Sequence, residues 1–138
     1  GADHMYSTFY AWEYPLVDGD QAFDPAGLEG KPPAVVEQER RRALEDCGVI
    51  CRFSRGVQTT ERLETIFEAD YEDLLALGER VITLERHFNN QRGFDRDDDA
   101  LPYDLPEFEA ALEEYYAEHG WNDDGTVPDE RLGDVAAD

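Results

Sequence analysis

The chain has 138 residues, enough for one domain that buries roughly two thirds of the surface its unfolded form exposes. Its 34 acidic and 12 basic residues give a formal net charge of −22, which argues against nucleic-acid binding because phosphate contacts need basic patches. An apolar content of 41% suffices for a core, and since no membrane-spanning run or signal peptide is visible, we expect a cytoplasmic protein without a membrane partner.

So acidic a surface is typical of three kinds of protein: a halophilic protein, a mimic of nucleic acid, or a module that binds basic partners. The acids are spread along the whole chain, and Lys31 is its single lysine. This distribution favours a halophilic surface. Self-repulsion is then expected to destabilise the compact state at low ionic strength, and salt to relieve it by screening.

The first third of the chain combines an irregular segment with one helix. Residues 6–33 are rich in aromatics, proline and glycine, which predicts an irregular, aromatic-packed segment that opens with a helical turn. Pro33 then lies near the first turn of a helix that runs to about Cys47.

A long amphipathic helix is the clearest secondary-structure signal. Thr59 or Thr60 can cap a short helix that runs through Phe67, and Asp70 can cap the long one. Apolar residues then recur every three or four positions and predict a stripe that packs in the core: Leu74, Leu77, Val81, Leu84 and Phe88.

The rest of the chain predicts a loop and two further helices. Residues 93–105 read as a charged, extended loop, Pro106 opens a helix that Gly120 ends, and a last short helix starts near Pro128. No segment alternates with period two. The fold class is therefore mainly α: a single compact helical domain with an irregular aromatic-rich N-terminal segment.

Cys47 and Cys51 are the only cysteines. At i,i+4 on a helix their Cβ atoms would lie too far apart for a disulfide, and a complete zinc or iron–sulfur site needs about four ligands. Taken alone, the residues favour two buried thiols that act as small hydrophobes. One of them could complete a metal site in a larger protein.

The other candidate groups are expected to be structural. His87 and His119 lie on predicted helices, where a histidine near the C-terminal end is favoured by the helix dipole. The acidic runs 97–99 and 122–125 do not fit the spacing of a calcium-binding loop, so we expect solvated acidic turns there.

Residues 84–102, LERHFNNQRGFDRDDDALP, form the most informative stretch and are called the signature segment below. Asn89, Asn90 and Gly93 are typical of a helix end, but generic fold requirements do not explain the turn, the three aspartates and the Leu-Pro pair that follow. The string resembles the C-terminal signature of the tungsten-dependent aldehyde:ferredoxin oxidoreductase family, which typically reads E-R-x-F-N-x-R-x-G-F, a basic residue, D-D, L-P.

Residues 46–53, Asp-Cys-Gly-Val-Ile-Cys-Arg-Phe, resemble a second motif of that family. The family's second pterin-binding motif reads roughly D-x-x-G-L-C, then a basic residue and Phe. Its Asp corresponds to Asp46 and its Cys to Cys51, while Val49 and Ile50 replace its glycine and leucine. The resemblance implies that Cys51 supplies the last ligand of a [4Fe–4S] cluster and that Asp46 and its neighbours contact a pterin of the tungsten cofactor.

His4, in the run Gly-Ala-Asp-His, resembles a family histidine that lies beside the tungsten and takes part in proton transfer. A histidine suits that role because its pKa is near neutral. Residues 1–4 are either native or a vector remnant before a start at Met5. The native origin is favoured because His4 precedes Cys51 by about the interval found in the family.

The resemblance covers nearly the whole chain. It implies that residues 1–138 are the C-terminal helical domain, a fragment, of an enzyme that oxidises aldehydes to carboxylic acids. Electrons would pass from a tungsten (or molybdenum) bis-pterin through the [4Fe–4S] cluster to ferredoxin. The implied partners are the enzyme's N-terminal domains, which carry the other three cluster cysteines, and ferredoxin; a homodimer is compatible with it. The isolated chain is expected to be inert.

A second hypothesis remains open at this point. The chain would then be a non-enzymatic, acidic helical protein-interaction module, or a diverged remnant of the enzyme in a halophile. In that case the cysteines belong to the core and His4 to a tag.

Overall fold

The computed structural model describes residues 6–13, 23–51, 53–54 and 59–136. This part of the chain forms six α-helices and one 3-10 turn, at Arg96–Asp98: α1 (Tyr10–Glu13), α2 (Lys31–Cys47), α3 (Thr60–Phe67), α4 (Tyr71–Asn90), α5 (Phe108–His119) and α6 (Asp129–Ala136). No strand occurs in these residues, so the prediction of a mainly α fold is confirmed. None of the described helices is long and apolar enough to cross a membrane.

The helix ends follow the sequence signals closely. α3 and α4 begin after Thr59 and Asp70, both in extended backbone conformation, although neither side chain makes a capping hydrogen bond. α5 ends at Gly120, whose φ of 66° is the left-handed conformation that glycine adopts without a steric penalty.

α2 is the central helix and packs against both α4 and α5. It meets α4 with the two backbones in close approach at Gly78. A Cβ atom at that position would lie 2.0 Å from the carbonyl oxygen of Arg40. The crossing therefore requires glycine.

Two apolar clusters form the core. The larger lies between α2, α4, α5 and the loop that follows α5, and it consists of Ala43, Ile82, Tyr116, Trp121 and Val127. The smaller joins α2, α3 and α4 through Leu44, Leu63 and Leu74.

The predicted core stripe of α4 is wrong at three of its five positions. Leu74 is buried and Val81 packs against the larger core cluster, but Leu77, Leu84 and Phe88 are 40%, 49% and 53% exposed. The buried face of α4 is instead made by Leu74, Gly78, Glu79, Ile82 and Thr83. The helix turns this face inward because α2 approaches at the glycine and because the buried glutamate and threonine are hydrogen-bonded there.

The signature segment holds α4 to the loop after α5. Arg86 makes a bidentate ion pair with Asp99 at 2.6 and 3.1 Å and donates to the carbonyl of Gly125 at 2.7 Å. Tyr116 donates to the same Asp99, and the Asn90 amide also donates to the Gly125 carbonyl. Asp99 is therefore not part of a merely solvated turn, and much of the segment's order is explained by these internal contacts.

Candidate functional site

The motif at residues 46–51 forms the turn that ends α2. The N–H of Val49 donates to the carbonyl of Asp46 at 3.0 Å, and the N–H of Ile50 donates to that of Glu45 at 2.9 Å. This pair of bonds is the Schellman motif. Val49 has a φ of 55°, in the left-handed region where glycine is the usual residue. The turn thus has a backbone conformation that glycine tolerates well, at the position where the similar motif carries a glycine.

The turn separates its side chains into a buried and an exposed set. Ile50 packs against the smaller core cluster, so it anchors the turn. Asp46 and Cys51 are exposed, and Val49 is 91% exposed. Cys47 is exposed as well, so the interpretation of both cysteines as buried hydrophobes is wrong. The helix ends before Cys51, and the reversal of the chain turns this thiol outward.

The N-terminal segment is fixed beside this turn by two polar contacts. The Tyr6 hydroxyl donates to Glu85 of α4 at 2.7 Å, and the Arg42 guanidinium of α2 donates to the Thr8 hydroxyl at 3.1 Å. Burial, and then the hydrogen bond to the carboxylate, raises the pKa of Tyr6, which keeps this phenol protonated as a donor.

Tyr6, Asp46 and Cys47 line one cleft of about 250 Å³. Glu39, Ile82 and Glu85 are also part of its wall. The fold therefore brings the segment that follows His4 to the start of the 46–51 motif. His4 itself lies outside the described residues, two positions before Tyr6.

A buried charged network lies behind the cleft. His119 is fully buried between Glu79, 3.1 Å from its Nδ1, and Glu39, 3.4 Å from its Nε2, and its ring stacks on Trp121. Tyr115 donates to the same oxygen of Glu39 at 2.8 Å. Burial alone would lower the pKa of His119, but the hydrogen bonds and charges of the two glutamates outweigh it and raise that pKa.

Glu79 holds this network together from α4. Burial would raise its pKa, but the hydrogen bond and charge of His119, followed by those of Arg40, lower it. Arg131 of α6 adds a further contact at 2.9 Å. The network thus links α2, α4, α5 and α6 through side chains that are far apart in the sequence.

Several residues of the cleft were not found from the sequence. Glu39 and Tyr6 have partners 76 to 80 residues away, which no local pattern reveals. Glu85 had one available signal, its place in the Glu-Arg pair of the signature segment.

The exposed turn suits a cofactor that is held mainly by other residues. No three metal-ligating side chains converge within the described ranges. Cys51 and Asp46 nevertheless both face outward from one backbone turn. These two groups could contribute one thiolate and one carboxylate to a site whose remaining ligands come from another domain or polypeptide.

A model of the family described as "Aldehyde ferredoxin oxidoreductase, domains 2 & 3" matches residues 1–135. The chain belongs to the aldehyde ferredoxin oxidoreductase family. The resemblance found in the signature segment and in residues 46–53 is thereby confirmed at the level of the family.

Two curated relatives place the chain within that family. A tungsten-containing aldehyde ferredoxin oxidoreductase of Pyrococcus abyssi is 33% identical in an alignment 114 residues long, and the match covers 67% of this chain and 19% of the relative. The protein of the same description from Pyrococcus furiosus is 35% identical in an alignment 79 residues long, and that match covers 46% of this chain and 13% of the relative. The chain therefore spans about a fifth of the length of these relatives or less. No solved structure matches it.

Proposed function

We propose that this chain is the C-terminal helical part of a tungsten-dependent (or molybdenum-dependent) enzyme that oxidises aldehydes to carboxylic acids. The observation that carries the proposal is the turn at residues 46–51. It places a left-handed residue, Val49, where the similar motif has a glycine, and it exposes both Asp46 and Cys51. Family membership and the tungsten named for both relatives support the same conclusion.

In this proposal the turn supplies the chain's share of a cofactor site. Cys51 provides the last thiolate of a [4Fe–4S] cluster, Asp46 holds a pterin, and the backbone at Val49 and Ile50 lies against that pterin. The metal bis-pterin and the cluster, when bound, supply the redox chemistry of RCHO + H₂O → RCOOH + 2H⁺ + 2e⁻, with ferredoxin as the electron acceptor. His4 would accept one of the released protons, a role that suits an imidazole.

The rest of the enzyme must come from other segments of a longer chain. One candidate cluster thiolate is too few for a [4Fe–4S] cluster, which needs four. The N-terminal domains of the enzyme are therefore the chain's first partner and ferredoxin its second, within the cytoplasm. The isolated chain is expected to show no aldehyde-dependent dye reduction.

The test is a pair of cysteine variants in the longest native polypeptide that contains this sequence. We expect Cys51→Ala to lower the iron content and abolish the electron paramagnetic resonance signal of the reduced cluster. Cys47→Ala is the matched control, since this thiol is also exposed and lies on the same turn. The proposal is contradicted if both variants retain the full cluster signal, or if both lose it equally while remaining folded.

A further inference from the structure

An open groove of about 970 Å³ runs along α4 and α5. Its wall includes Leu84, Phe88 and Leu101, which are 49%, 53% and 36% exposed. Phe108 and Leu112 of α5 also line the groove. On a molecule with a net charge of −22, so many large apolar side chains in one place require a specific reason.

The groove continues into the cleft beside the 46–51 turn. Tyr6, Glu39, Ile82 and Glu85 line both. A body that reaches Asp46 from the side of this cleft therefore passes over the groove. The apolar wall and the candidate cofactor turn belong to one continuous surface.

A second copy of this chain is a poor occupant of the groove. Two copies would bring charges of −22 together, which opposes association until salt screens them. The border of the groove is itself acidic, with Glu85 and Asp98. The surface that fits best has an apolar centre and a basic border.

We propose that this groove is where the rest of the enzyme chain docks, the part that supplies the remaining cofactor contacts. The inference rests on the proposed function. The chain covers only 19% and 13% of the two relatives, so most of such an enzyme lies outside it. Phe88 and Leu84 insert into that missing part, and its arginines or lysines meet Glu85. The half-exposed stripe of α4 is then an interface within one enzyme.

Hydroxyl-radical footprinting read by mass spectrometry tests this inference. It compares the isolated chain with the longest native polypeptide that contains it, purified without oxygen from its source. We expect labelling of Phe88 and Leu84 to fall at least about fivefold in the native protein, because a docked interface excludes solvent from its centre. Ile66 is the matched control: it is also 53% exposed but lies on α3, away from the groove, and its labelling should be unchanged.

Metal analysis of the same native sample separates this inference from the proposed function. If the native protein contains tungsten and Phe88 is protected from labelling, both the docking inference and the proposed function are supported. If it contains tungsten but Phe88 is labelled as in the isolated chain, the docking inference alone is overturned. If a longer chain without metal protects Phe88, docking is supported and the proposed function is overturned. If the native protein is no longer than this chain, the docking inference is overturned. This holds for a monomer in which Phe88 is labelled as in the isolated chain. It holds equally for a dimer, detected by light scattering, in which Phe88 is protected.

Discussion

Val49 carries backbone strain that a glycine would remove. A β-branched residue with a φ of 55° is an outlier that costs roughly 1–2 kcal/mol, and its side chain is 91% exposed, so little burial offsets that cost. Glycine loses more chain entropy on folding, which reduces the gain. We therefore expect Val49→Gly to raise the free energy of unfolding by about 1 kcal/mol, measured by urea denaturation.

The control for this substitution is Val49→Ala. Alanine keeps the Cβ atom that clashes in the left-handed region but lacks the branch, so its gain should be well under half of that of glycine. Equal stability of all three proteins would show that the Schellman turn at residues 46–51 stores no strain.

His119 should make stability depend on pH in a defined direction. Its pKa in the folded protein lies above the ordinary 6.5, so its stabilisation is present below pH 6.5 and is lost as pH rises through the raised pKa. Glu79 has a pKa below 4.5, so its contribution is present above pH 4.5 and is lost as pH falls through the lowered pKa. Between these limits the pair is fully charged.

Substitution of the histidine tests this assignment. We expect His119→Gln to lower the free energy of unfolding by about 2–4 kcal/mol near pH 5.5, because two buried glutamates lose their shared cation. The difference from the wild type should shrink at alkaline pH. His87→Gln is the control, since the His87 side chain lies outside the buried network, at the end of α4 and 2.9 Å from the Gln91 amide, and its substitution should change stability little. A deficit for His119→Gln that grows with pH would contradict the account.

The sequence indicated local turns and motifs but not the contacts of single residues with distant partners. The motif from Asp46 to Cys51 was recognised from residue order alone. The glycine of the similar motif was the one local signal for the left-handed conformation found at Val49, since glycine is the usual residue there. The burial of His119 could not, because it requires Glu39 and Glu79, which lie 80 and 40 residues away.

The crossing of α2 and α4 depends on one missing side chain. A Cβ atom at Gly78 would lie 2.0 Å from the backbone oxygen of Arg40, so Gly78→Ala must push the helices apart. We expect a loss of about 3 kcal/mol in the free energy of unfolding, from overpacking.

Gly133→Ala in α6 separates this packing effect from helix propensity. Nothing lies within 4 Å of a Cβ atom at Gly133, so alanine there should stabilise by about 0.5–1 kcal/mol. If both substitutions stabilised the protein, the claim that the backbones of α2 and α4 approach closely at Gly78 would be contradicted.

Helix bounds were predictable, whereas the buried face of α4 was not. α3 and α4 begin directly after Thr59 and Asp70, and α5 ends before Gly120, so local residue type marks these bounds even where the side chain makes no capping hydrogen bond. The hydropathy pattern assigned Leu77, Leu84 and Phe88 to the core because it considers only where apolar residues recur along the helix. The fold instead buries Gly78 for close packing and Glu79 for its ion pairs, which hydropathy ranks as surface residues.

The net charge of −22 makes stability of the whole molecule depend on salt. Repulsion between acids raises the energy of the compact state, and salt screens it within a Debye length of roughly 10 Å at 0.1 M. We expect the melting temperature to rise by about 10 °C or more between 0.1 and 2 M KCl, measured by circular dichroism.

An uncharged osmolyte is the control for the salt experiment. Sucrose at the same osmolality should give a smaller rise, because it does not screen charge. A melting temperature that is flat or falls with KCl would contradict the interpretation of the acidic surface as an adaptation to salt.

The meeting of distant segments is the feature of the whole molecule that the sequence could not reveal. Tyr6 contacts Glu85, 79 residues away, and both line the cleft that Asp46 also lines. Family resemblance linked the 46–51 motif and the signature segment to one enzyme family. It did not show that the signature segment is held together internally by the ion pair between Arg86 and Asp99.

The metal content of the longest native polypeptide that contains this sequence, purified without oxygen, tests whether the chain is part of a tungsten enzyme. We expect tungsten, or molybdenum, together with about four irons per chain, because Cys51 would complete a [4Fe–4S] cluster. A native protein free of tungsten, molybdenum and iron would contradict it, and would leave an acidic helical domain whose family chemistry has been lost.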